Sequence, residues 1–245
     1  MIVPSMSPFE VYENLAADDS KIKFKRQQSE PKIIKKIIKA AKFPALELIE
    51  YKIPSSQNSY ILYFYAESRQ DAEKPVFGVY SIVFDRKERY VVKWGRYPYQ
   101  YTPSDPYIIT PKIDVYPSHF FERYKERALR NPKISTNEVI CIYFIRNPDA
   151  IPIKLNEEIK RDYQKYGELG GYGLKVQDGV CLLSIGIVGY FDEADRKEKV
   201  NAVGCIYGTF LSHDMLKSSQ NVAIRKEMTV SLRDFFKDKI IELKA

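Results

Sequence analysis

Apolar residues recur in two rhythms along this chain. Up to about residue 42 the spacing is helical; from residue 45 it changes to the alternation and aromatic richness of strands. Residues 8–18 predict a short helix started by Ser7-Pro8, with Phe9, Tyr12 and Leu15 on one side. In a second helix Ile33, Ile34, Ile37, Ile38 and Ala41 repeat at helical spacing, Ser29 is placed to cap it, and Pro31 suits its first turn. Lys32, Lys35, Lys36, Lys39 and Lys42 fill the other face, so the helix is amphipathic and basic.

The strand-like segments come next. Ser59–Ala66 is rich in Tyr, Ile and Phe, and Val76–Phe84 and Arg89–Trp94 flank Asp85-Arg86-Lys87-Glu88 as a hairpin. Arg96–Pro111 is a Pro/Tyr-rich loop whose tyrosines suit base stacking, with Arg96 as a nearby cation. Ile113–Tyr116 predicts a short strand leading into a helix that Asn131-Pro132 ends. Ile134–Glu138 carries a capping-like signature, and Val139–Ile145 predicts a strand or buried element. Asn156–Tyr166 is expected to be a helix, with Gly167 as its C-cap. The glycines at 167–173 run from helix into strand, the wrong order for a phosphate loop. Asp178-Gly179 marks a hairpin between Tyr172–Gln177 and Val180–Tyr190. Asp192–Lys199 reads as a charged loop, Asn201–Leu211 as a strand, and 229–244 as a helix.

These elements define an α+β class: a twisted, mainly antiparallel sheet with flanking helices. The expected organisation is a helical arm over 1–50, basic at 21–42, and a single α+β domain over 51–245 with an insert near 146–170. The net charge of +7 changes the picture only locally. Residues 21–42 hold nine Lys or Arg and one Glu, so the rest of the chain is close to neutral. The start lacks the basic and apolar regions of a signal peptide, and no run approaches the length of a membrane span. Cys141, Cys181 and Cys205 each sit inside an apolar run, as buried free thiols of a cytoplasmic protein do.

Candidate chemistry centres on the only two histidines, His119 and His213, each preceded by serine. In a helix over 116–130, His119, Arg123 and Arg127 lie four residues apart along one face. Phe120, Phe121, Tyr124 and Ala128 form an apolar stripe, so an ordinary amphipathic surface helix explains the segment as well. Histidine exchanges a proton near neutral pH and arginine clamps anionic phosphate. Together they suit RNA cleavage through the 2′-hydroxyl, in which a base, an acid and cations act without metal. No HExxH, His pair at helical spacing or CxxC suggests a metal site, and no cofactor is implied. A GxSxG elbow is also absent, which argues against a Ser-His hydrolase.

The order strand, His-x-x-x-Arg-x-x-Glu-Arg (His119, Arg123, Glu126, Arg127), then a turn with Ile134-Ser135 resembles the small barnase/EndoU/colicin/RelE-type ribonucleases. The resemblance covers about 113–220. It implies a helix packed on a twisted antiparallel sheet, whose late strands complete the site. Here Thr209, Ser212 and His213 would be those late elements, with His119 as base or acid and Arg123 and Arg127 on the phosphate. The chain departs from the family in being more than twice the usual length and in carrying the insert.

Two other classes of function fit the same sequence. One is a non-catalytic module whose basic 30–42 helix, through Lys32, Lys35, Lys36 and Lys39 with Arg96, binds RNA or a protein partner. The other is a cytoplasmic domain of a mobile element with no activity of its own.

Overall fold

The computed structural model describes residues 2–3, 5–99, 108–154, 172–192 and 197–216. The helix expected at 156–166, its Gly167 cap and the helix at 229–244 lie outside the described residues. The chain divides into two compact units: residues 1–118 with 186–205, and residues 119–185 with 206–245.

In the first unit α1 (Pro8–Ala16) and α2 (Asp19–Ile38) precede five strands: β1 (Ala45–Lys52), β2 (Ser59–Ala66), β3 (Val76–Asp85), β4 (Glu88–Tyr99) and β5 (Ile108–Pro117). Successive strands pair antiparallel in the order β1-β2-β3-β4-β5. Leu15 and Tyr12 of α1 and Ile22 of α2 join Tyr60, Leu62, Val92 and Ile113 in one buried cluster. Ile37 near the end of α2 packs with Phe64, Ala66 and Ala72 in another. Residues 1–50 therefore do not stand apart as an arm. Their helices cover the sheet, and β1 crosses the expected boundary at residue 50.

Ser7 caps α1 with a reciprocal Glu10 bond, as the Ser7-Pro8 start implies. Its helix stops at Ala16, two residues earlier than expected. Ser29, by contrast, does not cap α2, which begins ten residues before it and carries Pro31 inside. A proline there forgoes one backbone bond, to the carbonyl of Gln27. Both residues are exposed, so water can satisfy that carbonyl.

In the second unit α3 (Ser118–Tyr124) continues as a π-helical turn over Lys125–Leu129 and stops at Arg130, whose φ is 50°. Ser118 itself counts with the first unit. α4 (Thr136–Arg146) follows, then β6 (Ile151–Lys154) and β7 (Tyr172–Val176). Two long strands, β8 (Gly179–Asp192) and β9 (Lys197–Ser212), contribute their 186–205 parts to the first unit and the remainder to the second. The order in the second unit is β9-β8-β7-β6, with β6–β7 and β7–β8 antiparallel.

Val139–Ile145, expected as a strand or buried element, is helix α4. Ser135 and Glu138 form its capping box, and that local signal governs a short apolar run that periodicity leaves ambiguous. The turn of the β7–β8 hairpin is Gln177-Asp178, one residue earlier than expected. Gly179 opens β8 instead, where a Cβ would stand 2.0 Å from the Leu211 carbonyl. Of the expected 96–111 loop, the described residues are strand, with β4 reaching Tyr99 and β5 starting at Ile108.

The core of the second unit is aromatic. Phe120 meets Phe121, Tyr143, Tyr207 and Phe210 edge-on, with centroids 5.2–6.4 Å apart. Tyr124 meets Tyr143 and Phe210 in the same way. The architecture is α+β, with a mainly antiparallel sheet flanked by helices, as the sequence predicts. Among the described residues no helix is long and apolar enough to cross a membrane.

Candidate functional site

The His119 helix presents two faces. Phe120, Phe121 and Tyr124 are buried in the aromatic core, which fixes the helix against β9. His119 is exposed, and its Nε2 lies 2.8 Å from the carbonyl of Gly208. A carbonyl only accepts, so Nε2 carries the proton and Nδ1 is left as the acceptor nitrogen. Arg123, one turn on, is half-buried. Arg127 reaches β9 and donates to Thr209 Oγ1 at 3.4 Å and to the Phe210 carbonyl. Arg130, which the sequence pattern does not single out, pairs with Asp214. Ser212 also donates to Asp214 and holds its carboxyl below the usual carboxylate range, with the Arg130 charge adding to the effect.

His213 is anchored elsewhere. Its Nε2 lies 3.0 Å from the Gln177 carbonyl and 3.0 Å from Lys175 Nζ, both on the β7–β8 hairpin. Gly208 lies four residues before Ser212, the last residue of β9, about 13 Å of strand at 3.3 Å per residue, and His213 opens the short turn that follows. The two rings are thus held by carbonyls of different elements, Gly208 of β9 for His119 and Gln177 of the β7–β8 turn for His213. A general acid and base must each come within about 3 Å of the proton they move, and the described anchoring does not set these two rings around one point.

Beside His213 the fold builds a polar node that sequence patterning misses. Asp178 accepts from Tyr124 Oη at 2.5 Å, Arg146 Nη2 at 2.6 Å and Asn147 Nδ2 at 3.2 Å, and its own N–H donates to Asn147 Oδ1 at 2.9 Å. Burial, and then the bond to Asp178, push the Tyr124 phenol well above its ordinary value. Burial likewise raises the Cys181 thiol to about 12, so all three cysteines being free and buried is no sign of reactivity. The Asp178 turn residue and the buried Tyr124 are visible in the sequence; their meeting across 54 positions is not.

The other candidate residues lie in the first unit. Lys36 Nζ meets Glu47 at 2.5 Å, and Arg96 Nε donates to Tyr12 Oη at 3.1 Å. Lys21, Lys25 and Arg26, on the earlier part of α2, are engaged with Asp18, the Tyr51 ring and the Phe77 ring. Lys32, Lys35, Lys39 and Lys42 are exposed and form no ion pair among the described residues. Phe24 is 65% exposed and Ile38 is 42% exposed. At 100° per residue Phe24, Gln28, Lys35 and Ile38 fall on one outward row. α2 thus pairs an inward face of packed isoleucines with an outward face of exposed lysines and two exposed apolar side chains.

Comparison of the chain with protein-family models, with curated proteins and with solved structures finds no match.

Proposed function

We propose that this protein is a non-catalytic module that binds single-stranded RNA along the outward face of α2. The observation that supports this reading is the row of exposed lysines Lys32, Lys35 and Lys39, which form no ion pair among the described residues, with Phe24 exposed beside it. Lysines that face water without carboxylate partners supply the phosphate contacts of sequence-tolerant binding, and an exposed aromatic ring offers a stacking platform for an unpaired base. Lys36 and Arg96 contribute less, because Glu47 and Tyr12 already hold them. The arginines of the His119 helix support this reading by contrast: Arg127 and Arg130 are bonded within their own unit.

The test is fluorescence anisotropy with a labelled single-stranded RNA of mixed sequence. Wild-type protein is expected to bind, and K32Q/K35Q/K39Q to bind at least about tenfold more weakly, a loss of roughly 1.4 kcal/mol. Equal binding by the two proteins contradicts the proposal.

A second reading has one specific observation in its favour. His119 is exposed with Nδ1 open, and Arg123 stands one helical turn away, which is the smallest base-and-cation set for metal-independent RNA cleavage. It predicts cleavage in EDTA with cyclic-phosphate ends, abolished by His119→Ala. Clean protein that leaves varied RNAs intact, tRNA among them, removes it.

A further inference from the structure

We propose that the interval between the open ends of β3 and β4 takes up an extended acidic peptide of a protein partner, which adds to the sheet along β4. The proposal is independent of the RNA-binding reading, because the interval is not part of the outward face of α2.

The interval begins where the β3–β4 ladder stops. That ladder runs from Asp85 opposite Glu88 to Ser81 opposite Val92 and no further. Both strands continue beyond it. Residues 76–80 of β3 stay paired to β2, and residues 93–99 of β4 stay paired to β5. Each strand therefore turns a run of main-chain groups towards the other, and among the described residues no strand pairs with either run. Main-chain N–H and C=O groups need partners, and an open strand edge is a template for one more strand.

Lys93 fills one place in the broken ladder. Its Nζ donates to the Val79 carbonyl at 2.9 Å, where the ladder would have set a strand N–H. A charged side chain in that position also guards an open edge against chance pairing. Continued in register, the ladder would bring Gly78 opposite Gly95. Gly95 is exposed, and a Cβ built on it meets no atom within 4 Å. Glycine inside a strand marks a place where another backbone comes close, so main chain can approach β4 at Gly95 without a clash.

The walls select what the strand carries. α1 packs over β4 and β5, and α2 packs over β1 and β2, which leaves β3 between them. On the helix side Phe77, Val79 and Trp94 are half-buried, with Arg26 over the Phe77 ring at the α2 rim. They suit apolar side chains at alternate positions of the peptide. Arg96, two residues beyond Trp94, is exposed. Its Nε donates to Tyr12 Oη at 3.1 Å, and it forms no ion pair among the described residues. A guanidinium oriented by one such bond still offers N–H groups to a carboxylate. On the opposite side of β4, an incoming N–H would take over the Val79 carbonyl and free the Lys93 ammonium for a second carboxylate. Main-chain pairing supplies the affinity, and the two cations favour acidic over basic partners.

The test uses the full-length protein and a fluorescein-labelled peptide in which valine and glutamate alternate between flanking pairs of glutamates. Anisotropy is expected to show binding, and a peptide with lysine in place of every glutamate to bind at least about tenfold more weakly. Gly95→Val puts a strand-favouring side chain into the open space, and is expected to weaken the acidic peptide at least about tenfold. Arg96→Gln is expected to weaken it about threefold or more. Hydrogen exchange needs no variant: the bound peptide should slow exchange of the amides at 93–97. The proposal is overturned if the acidic peptide does not bind, if the lysine peptide binds as well, or if exchange at 93–97 is unchanged in the bound protein. Unchanged peptide binding by Gly95→Val also overturns it, and weaker binding of single-stranded RNA by that variant would then assign the interval to nucleic acid.

Discussion

Helices α2 and α3 are both amphipathic, yet the cations on and just after them are used in opposite ways. After α3 the cations turn inward: Arg127 of the π-helical turn donates to the Phe210 carbonyl near the end of β9, and Arg130 pairs with Asp214. In α2 the early cations Lys21, Lys25 and Arg26 are engaged, while Lys32, Lys35 and Lys39 are exposed and form no ion pair among the described residues. α2 carries the larger net charge, but charge alone does not say which cations are engaged. What separates them is whether a backbone carbonyl or carboxylate stands within reach, and that depends on tertiary structure. The arginines look like a phosphate clamp in one dimension and act as strand-end braces in three. The lysines look like an ordinary solvated face, and we propose that they are the cations that meet a partner.

The contrast can be broken at several points. The largest effect is expected at Phe120, the centre of the aromatic core: Phe120→Ala should cost about 3–5 kcal/mol of stability in urea unfolding. A loss below about 1 kcal/mol would mean that the α3 face is not core. Arg127→Met should cost about 1.5–3 kcal/mol, the range for hydrogen bonds to charged groups, and leave RNA affinity unchanged. Weaker binding at unaltered stability would move Arg127 to the side of α2. Asp18 supplies a pH test of how α2 is seated. Burial would raise its carboxyl, but donors from Ser56, Asn58, Tyr60 and Lys21 outweigh burial and hold it below the ordinary value. A carboxyl lower in the folded state contributes stability above about pH 4, the unfolded value, and loses it as pH falls through the folded one. Asp18→Asn should therefore flatten the acid limb of a stability–pH profile, and an unchanged limb would contradict the assignment. The smallest effect is on α2 itself: K32Q/K35Q/K39Q should shift stability by no more than about 0.5 kcal/mol per site, as solvated side chains do.

The sequence carried much of this and hid the rest for identifiable reasons. The β2 strand is legible to the residue, because the Tyr/Ile/Phe run Ser59–Ala66 has no competing rhythm. The basic face of α2 is equally plain, since it depends only on local spacing. Its start is obscured by Pro31, which reads as a first-turn proline but is tolerated inside the helix on the exposed side. Helix α4 hides behind β-favouring residues, and its Ser135/Glu138 capping box is the clue that outweighs them. The partners of His119, Arg127 and His213 are mostly backbone carbonyls far along the chain. No side-chain pattern marks a carbonyl, so spacing alone cannot tell a clamp from a brace.

If α2 rather than α3 meets the partner, as we propose, the salt dependence of binding will report it. Binding of single-stranded RNA should weaken linearly in log affinity against log salt, with each phosphate contact adding about 0.7 to the slope. Removing Lys32, Lys35 and Lys39 together should lower the magnitude of that slope by about 2, while Arg127→Met leaves it unchanged. A slope that survives the triple substitution and falls with Arg127→Met would contradict the account.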